Sequence, residues 1–134
     1  MSLAADRARP WSLTLAAWAF ILVGAGGILK DVVPLVTGGA EARAGVLAEG
    51  VPMLALIWTI RALAVVGGAG VLAGRAWARW LLVGWMALHV GISLVHSLGE
   101  TAAHVAIFAI LTWALFRAAS GAWLSPEARS TGAG

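Results

Sequence analysis

The 134-residue chain has no cysteine. Disulfides, thiolate metal sites, thiol nucleophiles and covalent c-type haem attachment are thereby excluded. Charge is the next scarcity: 11% of the residues are charged and only 6 are acidic, against about 25% charged in an ordinary soluble domain. So few charges cannot cover a water-facing surface, whereas a bilayer removes the need. No Walker-type phosphate loop, dinucleotide fingerprint or Gly-x-Ser-x-Gly elbow occurs. Ser93 and Ser97 stand near histidines but lack a third orienting member. The formal charge of +3 comes from basic residues scattered singly at segment ends, with no patch of the kind nucleic acid requires.

What the chain does have is apolar length: 61% hydrophobic residues and a mean hydropathy of +0.92. About 20 apolar residues span a hydrocarbon core, and four stretches approach that. The run Trp11 to Leu29 is uncharged, longer than a signal-peptide core and without an evident cleavage site, so it reads as a retained membrane helix over about 11–30. Lys30 and Asp31 end the run, and Pro34 discourages its continuation. Residues 37–50, rich in glycine and charge, read as a loop or short surface helix. The second helix is expected over about 51–73, with Pro52 in its first turn, the third over 77–98 and the fourth over 100–117. Residues 118–134 read as a mobile tail. The expectation is an all-α integral membrane protein, a four-helix up-down-up-down bundle forming one membrane domain over 1–134.

Basic residues set the orientation. With the N-terminus inside, Arg7, Arg9, Arg75, Arg79, Arg117 and Arg129 are cytoplasmic, against Lys30 and Arg43 outside, which obeys the positive-inside rule with both termini inside. Trp11, Trp77, Trp80 and Trp123 then serve as interfacial anchors on the cytoplasmic side, and the acidic residues with His96 and His104 gather near the outer face. Gly24, Gly26 and Gly27 in the first helix, and Gly67, Gly70 and Gly74 in the second, allow close backbone approach. Gly70/Gly74 and Ala87/Gly91 are small-xxx-small pairs that serve packing within the chain or a dimer face.

Two constellations carry chemistry. The first is the junction between the third and fourth helices, where His96 precedes Glu100 by four residues and His104 follows it by four. With a reversal at Gly99, the two imidazoles come to matched depth, and with Glu100 they suffice as ligands for a divalent metal such as Zn, Fe or Mn, or as a proton relay. The alternative is an ordinary interfacial turn, with Glu100 favouring the positive end of a helix. Haem between His96 and His104 is disfavoured, because packed helices lie only about 8–10 Å apart.

The second is Arg61 with His89, each about ten residues from its helix's outer end and so roughly 15 Å deep. A central arginine costs about 2.5–3.5 kcal/mol to insert. Asp31 and Glu100 are expected at the outer surface, too far away to pair with it. Arg61 must then use His89, backbone carbonyls of a glycine-rich helix, the faces of Trp58 or Trp85, a lipid phosphate, or an anion from outside the chain; snorkelling from a shallower helix is the bland alternative. His89 suits an axial ligand to haem or a chlorophyll-type pigment, or a hydrogen-bonded core histidine.

The passage Leu72-Ala-Gly-Arg-Ala-Trp-Ala-Arg-Trp-Leu-Leu82, followed by His89-Val-Gly-Ile-Ser-Leu-Val-His96, resembles small four-helix bacterial inner-membrane proteins of uncharacterised function. The resemblance spans about residues 10–118 and implies a fold and a location, with no activity attached. Small multidrug-resistance exporters share the helix count and length, but the acid they need in the first helix is missing from residues 11–29. The leading expectation is a non-catalytic binding or accessory subunit of a larger membrane complex in the bacterial inner membrane. It would contact lipid, an apolar cofactor or a pigment through Arg61 and His89, with other membrane subunits or further copies of itself as partners. A small proton- or ion-coupled transporter or channel is the second expectation, and a metal-dependent membrane enzyme at His96, Glu100 and His104 the third.

Overall fold

Long, mostly apolar stretches favour helices, and the computed structural model, which describes residues 9–125, contains six helices and no strand among those residues. They are α1 (Trp11–Thr37), α2 (Ala40–Leu47), α3 (Val51–Leu72), α4 (Ala76–Ser93), α5 (Leu98–Phe116) and α6 (Ala118–Leu124). Three of them, α1, α3 and α5, are long and apolar enough to cross a membrane. At 1.5 Å per residue, the 22 residues of α3 reach about 33 Å, matched to a core of about 30 Å. The 18 residues of α4 carry Trp77, Arg79, Trp80, Trp85 and His89, which dilute its apolar character.

Several boundaries differ from expectation for identifiable reasons. The first helix does not stop at Lys30 but runs through Pro34 to Thr37. Proline removes one N–H and crowds the preceding turn, yet here the helix ends three residues later, where Gly38 N still donates to Pro34 O at 3.0 Å. Asp31 also stays within the helix because its carboxylate has a partner on α3. The glycine- and charge-rich connection contains the exposed helix α2. Gly99 does not break a helix: α4 ends at Ser93, and Gly99 sits in the first turn of α5. Ser97 sets that start as N-cap, its Oγ accepting from Glu100 N at 3.1 Å. Of the expected tail, 118–124 is helical, and residues 126–134 lie outside the described region, as do Arg7 and Arg129 of the charge count.

The four long helices touch in the cyclic order α1, α3, α4, α5 and back to α1, with the α1–α3 pair the most extensive and the α1–α5 pair the slightest. Burial is concentrated at one end. Leu13, Ala17 and Phe20 from the start of α1 meet Ala64 and Val71 from the later part of α3, Leu82 from the first half of α4, Leu115 from the end of α5 and Leu124 of α6. Arg9 ties the same end together, its Nη1 donating to Leu72 O at 3.2 Å. The α3–α4 turn closes there on Gly74, whose φ of 71° is left-handed. Arg75 N donates to Gly70 O and Gly74 N to Val71 O, the bonding that a glycine after a helix end permits. Away from this end few side chains are fully buried, although α1 and α3 stay in close contact at Gly24 and Gly27.

Of the expected interfacial tryptophans, Trp11, Trp77 and Trp80 are exposed at the packed end. Trp80 packs edge-on against Phe116, over which Arg79 also lies. Trp123 differs: it is half-buried against the core, beside Gly74.

Candidate functional site

The close packing of α1 on α3 positions the site. Gly24 admits the α3 backbone, since a Cβ there would stand 2.5 Å from Arg61 O. One turn on, Gly27 leaves room for the Arg61 side chain. Arg61 Nη1 donates to Gly27 O at 2.6 Å and to Asp31 Oδ2. Asp31 Oδ2 also accepts from Trp58 Nε1 at 3.1 Å. The ion pair is largely withdrawn from the surface, with side-chain exposures of 23% for Arg61 and 13% for Asp31.

This corrects the expectation that Arg61 lacks an acid within reach. That expectation rests on a first helix ending at 30; because α1 continues past Asp31, that acid faces α3 rather than the outer surface. The carbonyl of a glycine-rich helix also serves, at Gly27 O, and the charge is met inside the chain. Trp58 and Trp85 take part through N–H groups rather than as faces for the cation: Trp58 Nε1 bonds Asp31, and Trp85 Nε1 donates to Ile60 O at 2.7 Å.

His89 stacks on Trp85, with ring centroids 3.7 Å apart and an interplanar angle of 25°. Its Nδ1 donates to Trp85 O at 2.9 Å. Phe20 meets Trp85 edge-on from α1. The other imidazole near His89 is His104 of α5, at a centroid distance of 6.5 Å. His104 Nδ1 donates to Glu100 O at 2.8 Å.

The junction expected to gather His96, Glu100 and His104 does not do so. His96 falls in the connection after α4, is exposed, and turns its Nδ1 back to Ile92 O at 2.9 Å. Glu100 is exposed in the first turn of α5. Among the described residues no group of three His, Cys, Asp or Glu side chains comes together to hold a metal ion. The matched depth of His96 and His104 required α4 to continue to 98; its end at Ser93 removes that geometry and leaves His104 to face His89.

Arg61, His89 and His104 line one cavity of about 400 Å³, walled by Ala19, Phe20 and Val23 of α1, Trp85 and Met86 of α4, and Ile107 and Leu111 of α5. The cavity is a cleft open to the outside rather than an enclosed void, and among its lining Val23 of α1 and Ile107 of α5 are 59% and 48% exposed. A second cavity of about 630 Å³ lies beyond Arg61, bounded by Lys30, Asp31, Pro34, α2 residues, Glu49 and Ile57. Arg61 lines both. The apolar cleft and the more polar chamber thus meet at Arg61, with Asp31 on the chamber side.

Comparison of the chain with family models, with curated proteins and with solved structures finds no match. The site is therefore read from its own chemistry.

Proposed function

We propose that this chain is a small integral membrane protein that holds an apolar or amphiphilic molecule in the lateral cleft between α1 and α5, without performing chemistry on it. The cleft itself carries this reading. Its volume of about 400 Å³ falls within the range of small-molecule sites, which are mostly apolar with a few placed polar groups. Val23 and Ile107 of its lining are exposed on α1 and α5, two helices apolar enough to face lipid, so a ligand dissolved in the bilayer can enter sideways. His89, His104 and Arg61 supply the polar end. An accessory subunit presenting such a ligand to a neighbouring membrane protein is one form of this role.

The topology that goes with it is a four-helix up-down-up-down bundle with N- and C-termini in the cytoplasm of a bacterial cell. α4 packs along both α3 and α5 and counts as the fourth crossing. The buried end unites the starts of α1 and α4 with the ends of α3 and α5, the pattern of alternating direction. Arg9, Arg75, Arg79 and Arg117 belong to that end, which favours it as the cytoplasmic side.

One experiment tests the binding role. Protein purified from its native membrane, beside an Ala19→Phe, Ile107→Phe variant that fills the cleft, is extracted and its lipids identified by mass spectrometry. A species enriched with the parent protein and depleted with the filled variant supports the reading; identical profiles sink it. A second reading, a proton or ion path, is favoured by Arg61 lining both cavities. It requires pH-dependent flux into liposomes that Arg61→Gln abolishes.

A further inference from the structure

The polar groups of the cleft define what kind of head its occupant carries. Both imidazoles are committed at one nitrogen. His89 Nδ1 donates to Trp85 O, and His104 Nδ1 donates to Glu100 O. A carbonyl oxygen only accepts, so Nδ1 is the protonated nitrogen in each ring, and in the neutral imidazole Nε2 is left as a bare acceptor. Two acceptors thus border an otherwise apolar cavity. A hydrocarbon, ether, ketone or ester brings no donor to them, and in the hydrocarbon region, where the proposed topology puts this cleft, an acceptor without a donor is costly.

Arg61 supplies the complementary half. Its Nη1 is used by Gly27 O and Asp31, while Nε and Nη2 make no hydrogen bond among the described residues. A hydroxyl group meets both demands at once, its hydrogen going to an imidazole Nε2 and its oxygen accepting from the guanidinium. Charge narrows the class further. Arg61 is already balanced by Asp31, and the other lining side chains are apolar apart from the two imidazoles. A charged head would enter a weakly polar cavity without a counter-charge of its own, which is expensive at membrane depth.

A cavity of about 400 Å³ that opens to lipid shelters the head and the first part of a chain, the rest lying in the bilayer. We infer that the cleft binds an uncharged amphiphile whose head carries a hydroxyl group, oriented with that hydroxyl between His89, His104 and Arg61. This rests on the lateral cleft being a ligand site, and it adds the class of ligand.

The test uses the full chain in phosphatidylcholine nanodiscs, with tetradecanol, its methyl ether, tetradecane and tetradecyl sulfate as probes. The ring Cε1 signals of ¹³C-labelled histidine report binding. His96, exposed and outside the cleft but bonded through Nδ1 in the same way, is the internal reference. The alcohol is expected to shift His89 and His104 but not His96, and to bind about three- to tenfold more tightly than the ether, the worth of one or two neutral hydrogen bonds. In a His89→Phe, His104→Phe variant, read by competition with a brominated alkane that quenches tryptophan, that preference disappears while ether binding persists, which also verifies the fold. Equal binding of alcohol and ether to the parent protein, tighter binding of the sulfate, or a preference surviving in the double variant overturns the head-group inference and leaves the cleft standing. If no probe, tetradecane included, occupies the cleft, the binding role itself falls.

Discussion

Arg61 lies across Gly27: a methyl group at position 27 would stand 2.7 Å from Arg61 Nε and 2.8 Å from its Cδ. The guanidinium bends over the bare backbone of α1, takes the carbonyl of Gly27 and reaches Asp31 one turn further on. The missing side chain on one helix is therefore part of how the other helix holds its charge. Gly24 does the corresponding job for the backbone, where the obstacle is Arg61 O itself.

The two glycines should therefore respond differently to alanine. At Gly27 the obstacle is the end of a flexible side chain, and alanine also raises helix propensity by about 1 kcal/mol, so Gly27→Ala is expected to cost about 1 kcal/mol or less. At Gly24 the obstacle is backbone, and the helices must move apart, with an overpacking cost of about 1–3 kcal/mol. SDS-driven unfolding followed by tryptophan fluorescence ranks them. Gly24→Ala as the milder change would contradict the packing described.

Removing one member of the ion pair should do more harm than removing both. Asp31→Asn leaves Arg61 charged with only a backbone carbonyl, at a cost of about 2 kcal/mol; breaking a fully buried pair costs about 3–5 kcal/mol, and this pair retains some exposure. Combining it with Arg61→Gln removes the stranded charge. A double-variant cycle should give a coupling of about 0.5–3 kcal/mol. Additive losses would mean that the two residues do not act as a pair.

This pair shows both how far the sequence could be read and where it misleads. The apolar lengths of α1, α3 and α5 and the isolation of Arg61 are visible in the residue string. Its partner is hidden by hydropathy, because a window that seeks lipid-facing length closes at Lys30 and Asp31. Helical spacing carries the missing signal. Gly24, Gly27 and Asp31 fall at i, i+3 and i+7, one face of one helix, a face with two gaps followed by an acid. Trp58 precedes Arg61 by three residues, on the same face of α3. His89 and His104 could not be joined by such counting, since their contact depends on α4 ending at Ser93 and on the register of α5 set by Ser97. The metal trio failed for the same reason: equal sequence distances from a turn become equal depths only where both helices reach the turn.

Trp85 links three parts of the site, so its polar and aromatic contributions can be separated. Trp85→Phe removes the bond to Ile60 O while keeping a ring for Phe20 and His89 to pack on. Ile60 is inside α3 and its carbonyl keeps its own helical bond. The loss is expected to be about 0.6 kcal/mol, the average for interhelical bonds in membranes. Trp85→Ala removes the packing as well and should cost about 3–5 kcal/mol if the ring is a core element. Equal losses for the two substitutions would show the indole N–H, rather than the ring, to be what holds α4 on α3.

The proposed orientation is testable without background because the chain has no cysteine of its own. Single cysteines placed by Glu41→Cys in exposed α2, by Glu100→Cys at the start of α5, and by Arg75→Cys in the α3–α4 turn sample both ends. Among the described residues, all four acids, Asp31, Glu41, Glu49 and Glu100, lie toward the open end, while Arg9, Arg75, Arg79 and Arg117 lie toward the packed one. Since the excess of arginine is held in the cytoplasm, an impermeant maleimide added to intact cells should label positions 41 and 100, and position 75 only after permeabilisation. The sites at 75 and 100 also bracket α4. If both label from the same side, α4 does not cross, and the alternating four-helix arrangement fails whichever way the protein faces. If 41 and 100 are protected and 75 is labelled, the arrangement survives inverted, and the arginine-rich end is not the cytoplasmic one.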